Sequence, residues 1–171
     1  MRIKIDGLKN GSNIFLVPEN DITGTVIHDY VIKDSQDLEL EIQKSGNYIH
    51  IMGEAQLGFK SICDRCAEDY ETSQIIKIDY MFHIGKLDEL SDEMVTVDPS
   101  ENEGYLDLLP YFTEAFILAL PVRQLCSENC KGICQNCGKN RNEGDCGCNF
   151  EKQSDPRWET LVKILNKNGE T

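Results

Sequence analysis

No run of this 171-residue chain stays apolar for the roughly 20 residues that a membrane-crossing helix requires. The longest apolar helical stretch, near Phe112–Leu120, is too short. The opening MRIKIDGLKN is charged and lacks the apolar centre of a secretory signal, so a cytoplasmic, membrane-free protein is expected. Glycine-rich phosphate loops, nucleophile motifs and paired catalytic carboxylates are also missing. His28, His50 and His83 are scattered through strand-like segments without a companion motif. The chain is therefore read as non-enzymatic, with no small-molecule substrate.

Positive charge is scarce: 17 Lys+Arg stand against 30 Asp+Glu, a net −13. Residues 1–120 carry 9 basic against 23 acidic side chains, a net −14, whereas residues 121–171 carry 8 against 7, a net +1. An acidic body repels phosphate backbones, which excludes electrostatic binding of RNA or DNA over the whole surface. A basic protein partner suits it. Any nucleic-acid contact should be confined to the C-terminal part, where Arg123, Lys131, Lys139 and Arg141 gather. The plain alternative for that small cluster is solubility.

What the chain does have is cysteine: Cys126-x3-Cys130-x3-Cys134-x2-Cys137-x8-Cys146-x-Cys148, with Cys63-x2-Cys66 upstream. Eight thiols make two sets of four, the ligand set of a closed tetrahedral zinc site. In a reducing cytoplasm such clusters are metal ligands more readily than disulfides. Cys134, Cys137, Cys146 and Cys148 form one compact candidate site. Cys63 and Cys66 are a half-site whose complement is the remaining pair, Cys126 and Cys130. Closing that site would tie the sheet to the segment after the helix. Structural zinc supplies about 10–16 kcal/mol in small peptides at neutral pH, comparable to a domain's whole stability. The apolar-poor stretch from Cys126 to Glu151 should therefore need its metal to fold. An iron–sulfur cluster and a redox-active Cys63/Cys66 pair are the competing uses of the same thiols.

Periodicity gives the frame. Residues 1–7, 22–33, 38–43, 48–52 and 75–84 alternate or are β-branched, as strands require, and 55–62 runs into the first cysteine pair. Ser45-Gly46-Asn47 joins two of them as a hairpin turn. Residues 85–107 hold eight acids and one lysine, an acidic loop with a short strand at Met94–Val97. Leu108, Phe112, Ala115, Phe116 and Ala119 form the core stripe of a helix begun at Asp107 and stopped by Pro121. Asp155-Pro156 opens a terminal helix, and Trp158 is expected to pack against the cysteine module. The expected fold is α+β: an antiparallel sheet or partly closed barrel with one covering helix, plus a small zinc-knuckle module and terminal helix. The division is a body of residues 1–122 and a module of residues 123–171.

Together, Cys63-Asp64-Arg65-Cys66, Asp107-Leu108-Leu109, Ile117-Leu118-Ala119-Leu120-Pro121, Gly132–Asn142 with Cys146-Gly147-Cys148, and Asp155-Pro156-Arg157 resemble the YceD family of bacterial proteins. The resemblance spans roughly residues 1–165. Gln135 stands where proline is frequent and Arg141 where an aliphatic residue is usual; neither is a candidate ligand. The resemblance implies a role in accumulation of large-subunit ribosomal RNA and a genomic link to a small protein of the large subunit. It also implies that the first cysteine set is the shared one, since some members lack the last four cysteines. The function expected is therefore a zinc-binding factor for large-subunit biogenesis, acting through a basic ribosomal protein or pre-large-subunit particle, with limited RNA contact through the module. Two other classes stay open: a zinc-ribbon nucleic-acid-binding regulator, and a thiol oxidoreductase using Cys63 and Cys66.

Overall fold

A long hairpin organises the fold. Strands β6 (Tyr48–Ile62) and β7 (Asp69–Ile84) pair antiparallel in one unbroken register from Tyr48↔His83 to Ile62↔Asp69. Alternation dictates this: Ile49, Ile51, Leu57, Phe59, Ile76, Ile78 and Phe82 are buried on one face, with polar residues between them. The computed structural model describes residues 1–85, 94–98, 103–148 and Trp158. The other strands are β1 (Arg2–Lys4), β2 (Gly11–Val17), β3 (Val26–Ile27), β4 (Tyr30–Ser35), β5 (Leu38–Ser45), β8 (Met94–Val97) and β9 (Tyr105–Asp107). Helices α1 (Glu19–Ile22) and α2 (Leu109–Ala119) accompany them.

On one side β6 pairs with β7; on the other its first half pairs with β5 and its second half with β4. β2 lies outside β5, and β3 lies outside β4. β8 adds to β7 in parallel from Met81↔Met94 to Ile84↔Val97. β1 and β9 make a separate two-stranded sheet. The fold is mostly sheet with few helices. The large sheet stays open: among the described residues no pairing joins β8 to β2 or β3, so the expectation of a partly closed barrel is corrected. The parallel β8 also makes the sheet mixed rather than purely antiparallel.

The run 22–33 is two strands rather than one. His28 takes φ +52°, turning the chain so that Val26 and Ile27 pair back onto Val31 and Tyr30. β2, α1 and β9 add elements that periodicity did not suggest. The 99–102 part of the acidic segment, its 86–93 part and the expected terminal helix lie outside the described residues.

At the start of α2 the Asp107 carboxylate accepts the Leu109 N–H at 3.0 Å, and Pro110 occupies the first turn. Phe112, Ala115 and Phe116 are buried. Phe116 meets Phe59 edge-on at 5.1 Å and Tyr30 at 5.6 Å, while Tyr111 meets Phe82 at 4.8 Å. The chain divides into two compact units, Met1–Cys130 and a second beginning at Lys131. Cys126 and Cys130, assigned by sequence to the C-terminal module, thus travel with the first unit, for reasons given below.

Truncating the ring at the centre of this packing, Phe116→Ala, should cost about 3–5 kcal/mol in denaturant unfolding of the metal-loaded protein. Ile14→Ala, at an exposed site on β2, should stay within about 0.5 kcal/mol.

Candidate metal centre

The β6–β7 hairpin closes through a tight turn that carries Cys63 and Cys66. The Cys63 N–H donates to the Glu68 carbonyl at 2.9 Å, and the Ala67 N–H donates to the Cys63 carbonyl at 2.8 Å. Ala67 pays no ring or branch clash here, yet its φ of +58° is a left-handed conformation that an L residue adopts at a cost. The segment after α2 is clasped onto this turn. Asp64 and Gln124 bond reciprocally: Asp64 N–H to the Gln124 carbonyl at 2.8 Å, and Gln124 N–H to the Asp64 carboxylate at 2.7 Å. The Gln124 side-chain oxygen accepts from Tyr70 at 3.1 Å. Arg65 donates to the carbonyls of Glu128, at 3.3 Å, and Cys130, at 3.1 Å. These bonds carry Cys126 and Cys130 to the hairpin end, which is why both belong to the first unit.

The four sulfurs of Cys63, Cys66, Cys126 and Cys130 all lie within 4.8 Å of one another. Cys63 and Cys130 sulfurs are 3.8 Å apart, and those of Cys66 and Cys126 3.7 Å. A tetrahedron of thiolates around a zinc ion at 2.3 Å has an edge of about 3.8 Å. A disulfide would hold its sulfurs at about 2.05 Å. A multi-iron cluster places several atoms between its thiolates and spreads them farther. The donor set therefore fits one four-coordinate ion. Cys63, Cys66 and Cys130 are buried, at 1, 4 and 5% exposure, with Tyr70 and Leu125 packed around them.

Charge is distributed unevenly among these thiols. Burial pushes Cys63 up, but backbone N–H groups of Cys126, Cys66 and Arg65 outweigh it and bring the thiol down to about 6. Cys66 receives a bond from the Glu68 backbone, yet burial and its sulfur neighbours raise it to about 12. Burial likewise raises Cys126. Cys63 is thus more readily ionised than Cys66 or Cys126, and a bound ion would offset the burial that opposes ionisation of those two.

The second unit repeats the device. The Gly138 N–H donates to the Cys134 carbonyl at 2.8 Å, as Ala67 does to Cys63 in the first turn, and Gly138 supplies the left-handed φ, +73°. Cys134 N–H donates to the Lys139 carbonyl at 2.8 Å, Ile133 bridges Asn140, and Arg141 N–H donates to the Gly132 carbonyl at 2.9 Å. The sulfurs of Cys134, Cys137, Cys146 and Cys148 again lie within 4.8 Å of one another. The backbone N–H groups of Cys137 and Asn136 bring Cys134 down to about 6, whereas the thiols of Cys137 and Cys146 push Cys148 up to about 12.

Both foursomes inferred from spacing are thus assembled in space. The basic residues divide: Arg123 belongs to the first unit, while Lys131, Lys139 and Arg141 follow one small hairpin of the second, all four exposed. Trp158, expected to pack, is 61% exposed. His50 pairs with Asp79 at 2.7 Å and His83 is buried beside Tyr48, and both candidate metal sets consist of cysteines alone. Sequence reasoning missed the clasp made by Asp64, Arg65 and Gln124. The first two sit between the cysteines and could have been suspected; nothing distinguishes Gln124 in sequence.

Residues 51–165 match the family described as "Large ribosomal RNA subunit accumulation protein YceD". Similar proteins include an uncharacterized protein of Mycobacterium bovis and another of Mycobacterium tuberculosis, each 26% identical over 137 residues and 79% of this chain. The chain spans 64% of the length of these curated relatives. No solved structure matches.

Two outcomes follow from the geometry. Cys63→Ser and Cys134→Ser should each lower bound metal by about one equivalent per chain in native mass spectrometry, and the double variant by about two. Acidification should release the ions, because the bound state holds thiolates and the free state regains protons. Chelator competition should show affinity falling with pH, more steeply below about 6, where Cys63 and Cys134 also protonate.

Proposed function

Because the chain belongs to the YceD family, we propose that it is a non-enzymatic, zinc-binding factor that supports accumulation of large-subunit ribosomal RNA and acts in the cytoplasm. The single observation carrying this reading is the family match over residues 51–165, which contains both cysteine sets. Four thiolates leave no open coordination position for water, so the ions serve as structural clamps rather than Lewis acids. Among the described residues, no helix is long and apolar enough to cross a membrane.

The net −14 of residues 1–120 favours a basic partner: a ribosomal protein or a pre-large-subunit particle whose proteins are basic. RNA contact, if direct, falls to Lys131, Lys139 and Arg141 on the second unit's hairpin. That exposed trio is also what favours the second reading, a nucleic-acid-binding regulator. A salt titration separates the two, since direct phosphate contacts give steep loss of RNA affinity with salt. A thiol oxidoreductase has less support, because a reactive cysteine sits partly exposed and Cys63 and Cys66 are buried.

Depleting the chain from its cells should lower the ratio of large- to small-subunit ribosomal RNA. Wild-type chain should restore the ratio and Cys63→Ser should not. An unchanged ratio on depletion would remove the ribosomal reading and leave the regulator in its place.

A further inference from the structure

Among the described residues, the edge of β7 that faces away from β6 is unpaired along most of its length. β8 occupies it only from Met81 to Ile84, and among the described residues no strand lies beside it between Asp69 and Tyr80. Parity shows which backbone groups are left. The Ile84 N–H donates to the Asn47 carbonyl, and Glu68 accepts from Cys63, so even-numbered residues bond inward. Ile75, Lys77 and Asp79 therefore turn their N–H and C=O groups outward. The Gln74 side-chain amide reaches the Ile75 carbonyl at 3.4 Å, as an outward carbonyl allows.

This edge is the floor of an open groove of about 750 Å³, walled by α2. Its apolar part is Leu118, 76% exposed, with Ala115, Ala119 and Ile75, which is 49% exposed. Its charged part is Glu54, Asp79 and Glu114, with Lys77 the only cation among the described lining residues. The Tyr80 hydroxyl sits 3.3 Å from the Glu114 carboxylate and 3.2 Å from the Tyr111 carbonyl, fixing the helix beside the strand.

We propose that the β7 edge from Gln74 to Tyr80 is a docking site for an extended, basic segment of a partner protein, which adds as a strand beside β7. Such a segment gains main-chain hydrogen bonds from Ile75, Lys77 and Asp79 and alternates its side chains between the two walls. Apolar side chains meet Leu118 and Ala115, and Lys or Arg side chains meet Glu114, Asp79 and Glu54. At about 3.3 Å per residue, the site takes roughly seven residues. A second copy of the chain is disfavoured as occupant, because it would bring the same carboxylates face to face. The inference rests on the reading that the partner is a basic protein, and gives that partner a place and a conformation.

The test uses the full metal-loaded chain and a labelled peptide alternating lysine and valine. Binding should slow amide exchange at Ile75, Lys77 and Asp79. It should be abolished when alternate peptide amides are N-methylated, and should weaken by about tenfold or more with Leu118→Asp or with Asp79→Asn plus Glu114→Gln. Unchanged metal content shows that these surface variants remain folded. The inference is overturned by absence of binding, by equal binding of the methylated peptide, or by equal binding to the variants. It is also overturned if those three amides are already slow in the free chain, which would mean that a second copy or the chain itself covers the edge. Complementation then separates the two claims. An unchanged ratio of large- to small-subunit ribosomal RNA on depletion counts against the functional reading. Full rescue by a variant that cannot bind the peptide counts against the docking site alone.

Discussion

Four sulfurs at tetrahedral spacing join two parts of the chain that share little else. The Cys63–Cys66 turn ends the β6–β7 hairpin, and Cys126 and Cys130 follow α2. Between them, Gln124 and Arg65 supply polar bonds but little apolar burial. A cluster of three buried cysteines with Tyr70 and Leu125 is far smaller than the main core. A four-coordinate ion, which this thiol set fits, would supply the cohesion that so small a cluster lacks. Such an ion would fix the segment after the helix together with the Asp64, Arg65 and Gln124 bonds. An ion in the second set would matter still more to its unit, whose described residues contribute only Cys134 to the buried apolar set.

Charge divides the molecule along the same line. The sheet, which needs no ion to bury Ile49, Ile51, Leu57 and Phe59, carries the carboxylates. The second cysteine set lies among Lys131, Lys139 and Arg141. A protein acting near ribosomal RNA with an acidic body would be repelled by phosphate and drawn to basic protein, and the docking site proposed at the β7 edge, with Asp79, Glu54 and Glu114 around it, would give that attraction a location.

Much of the fold was legible because its signals were strong. Leu38–Gln43 alternates, Ile76, Ile78, Tyr80 and Phe82 share one face of their run, and the helix from Leu109 carries Phe112, Ala115 and Phe116 at helical spacing. The cysteine foursomes were legible because Cys134, Cys137, Cys146 and Cys148 lie close together in sequence and only one pair remained to complement Cys63 and Cys66. The misses have physical causes. β2 begins with Gly11-Ser12-Asn13, residues of turn character, and its Ile14 and Leu16 stay exposed, so tertiary pairing with β5 rather than burial holds it. The break at His28 needed a positive φ at a residue not marked for it. Arg65 and Asp64 read as ordinary surface charges until the segment after α2 is brought beside them.

X-ray absorption at the zinc edge of the purified chain tests the central claim most directly. Two ions per chain, each with four sulfur neighbours at about 2.3 Å, is the expected result. Nitrogen or oxygen neighbours, or sulfurs paired as disulfides with no metal, would contradict the account.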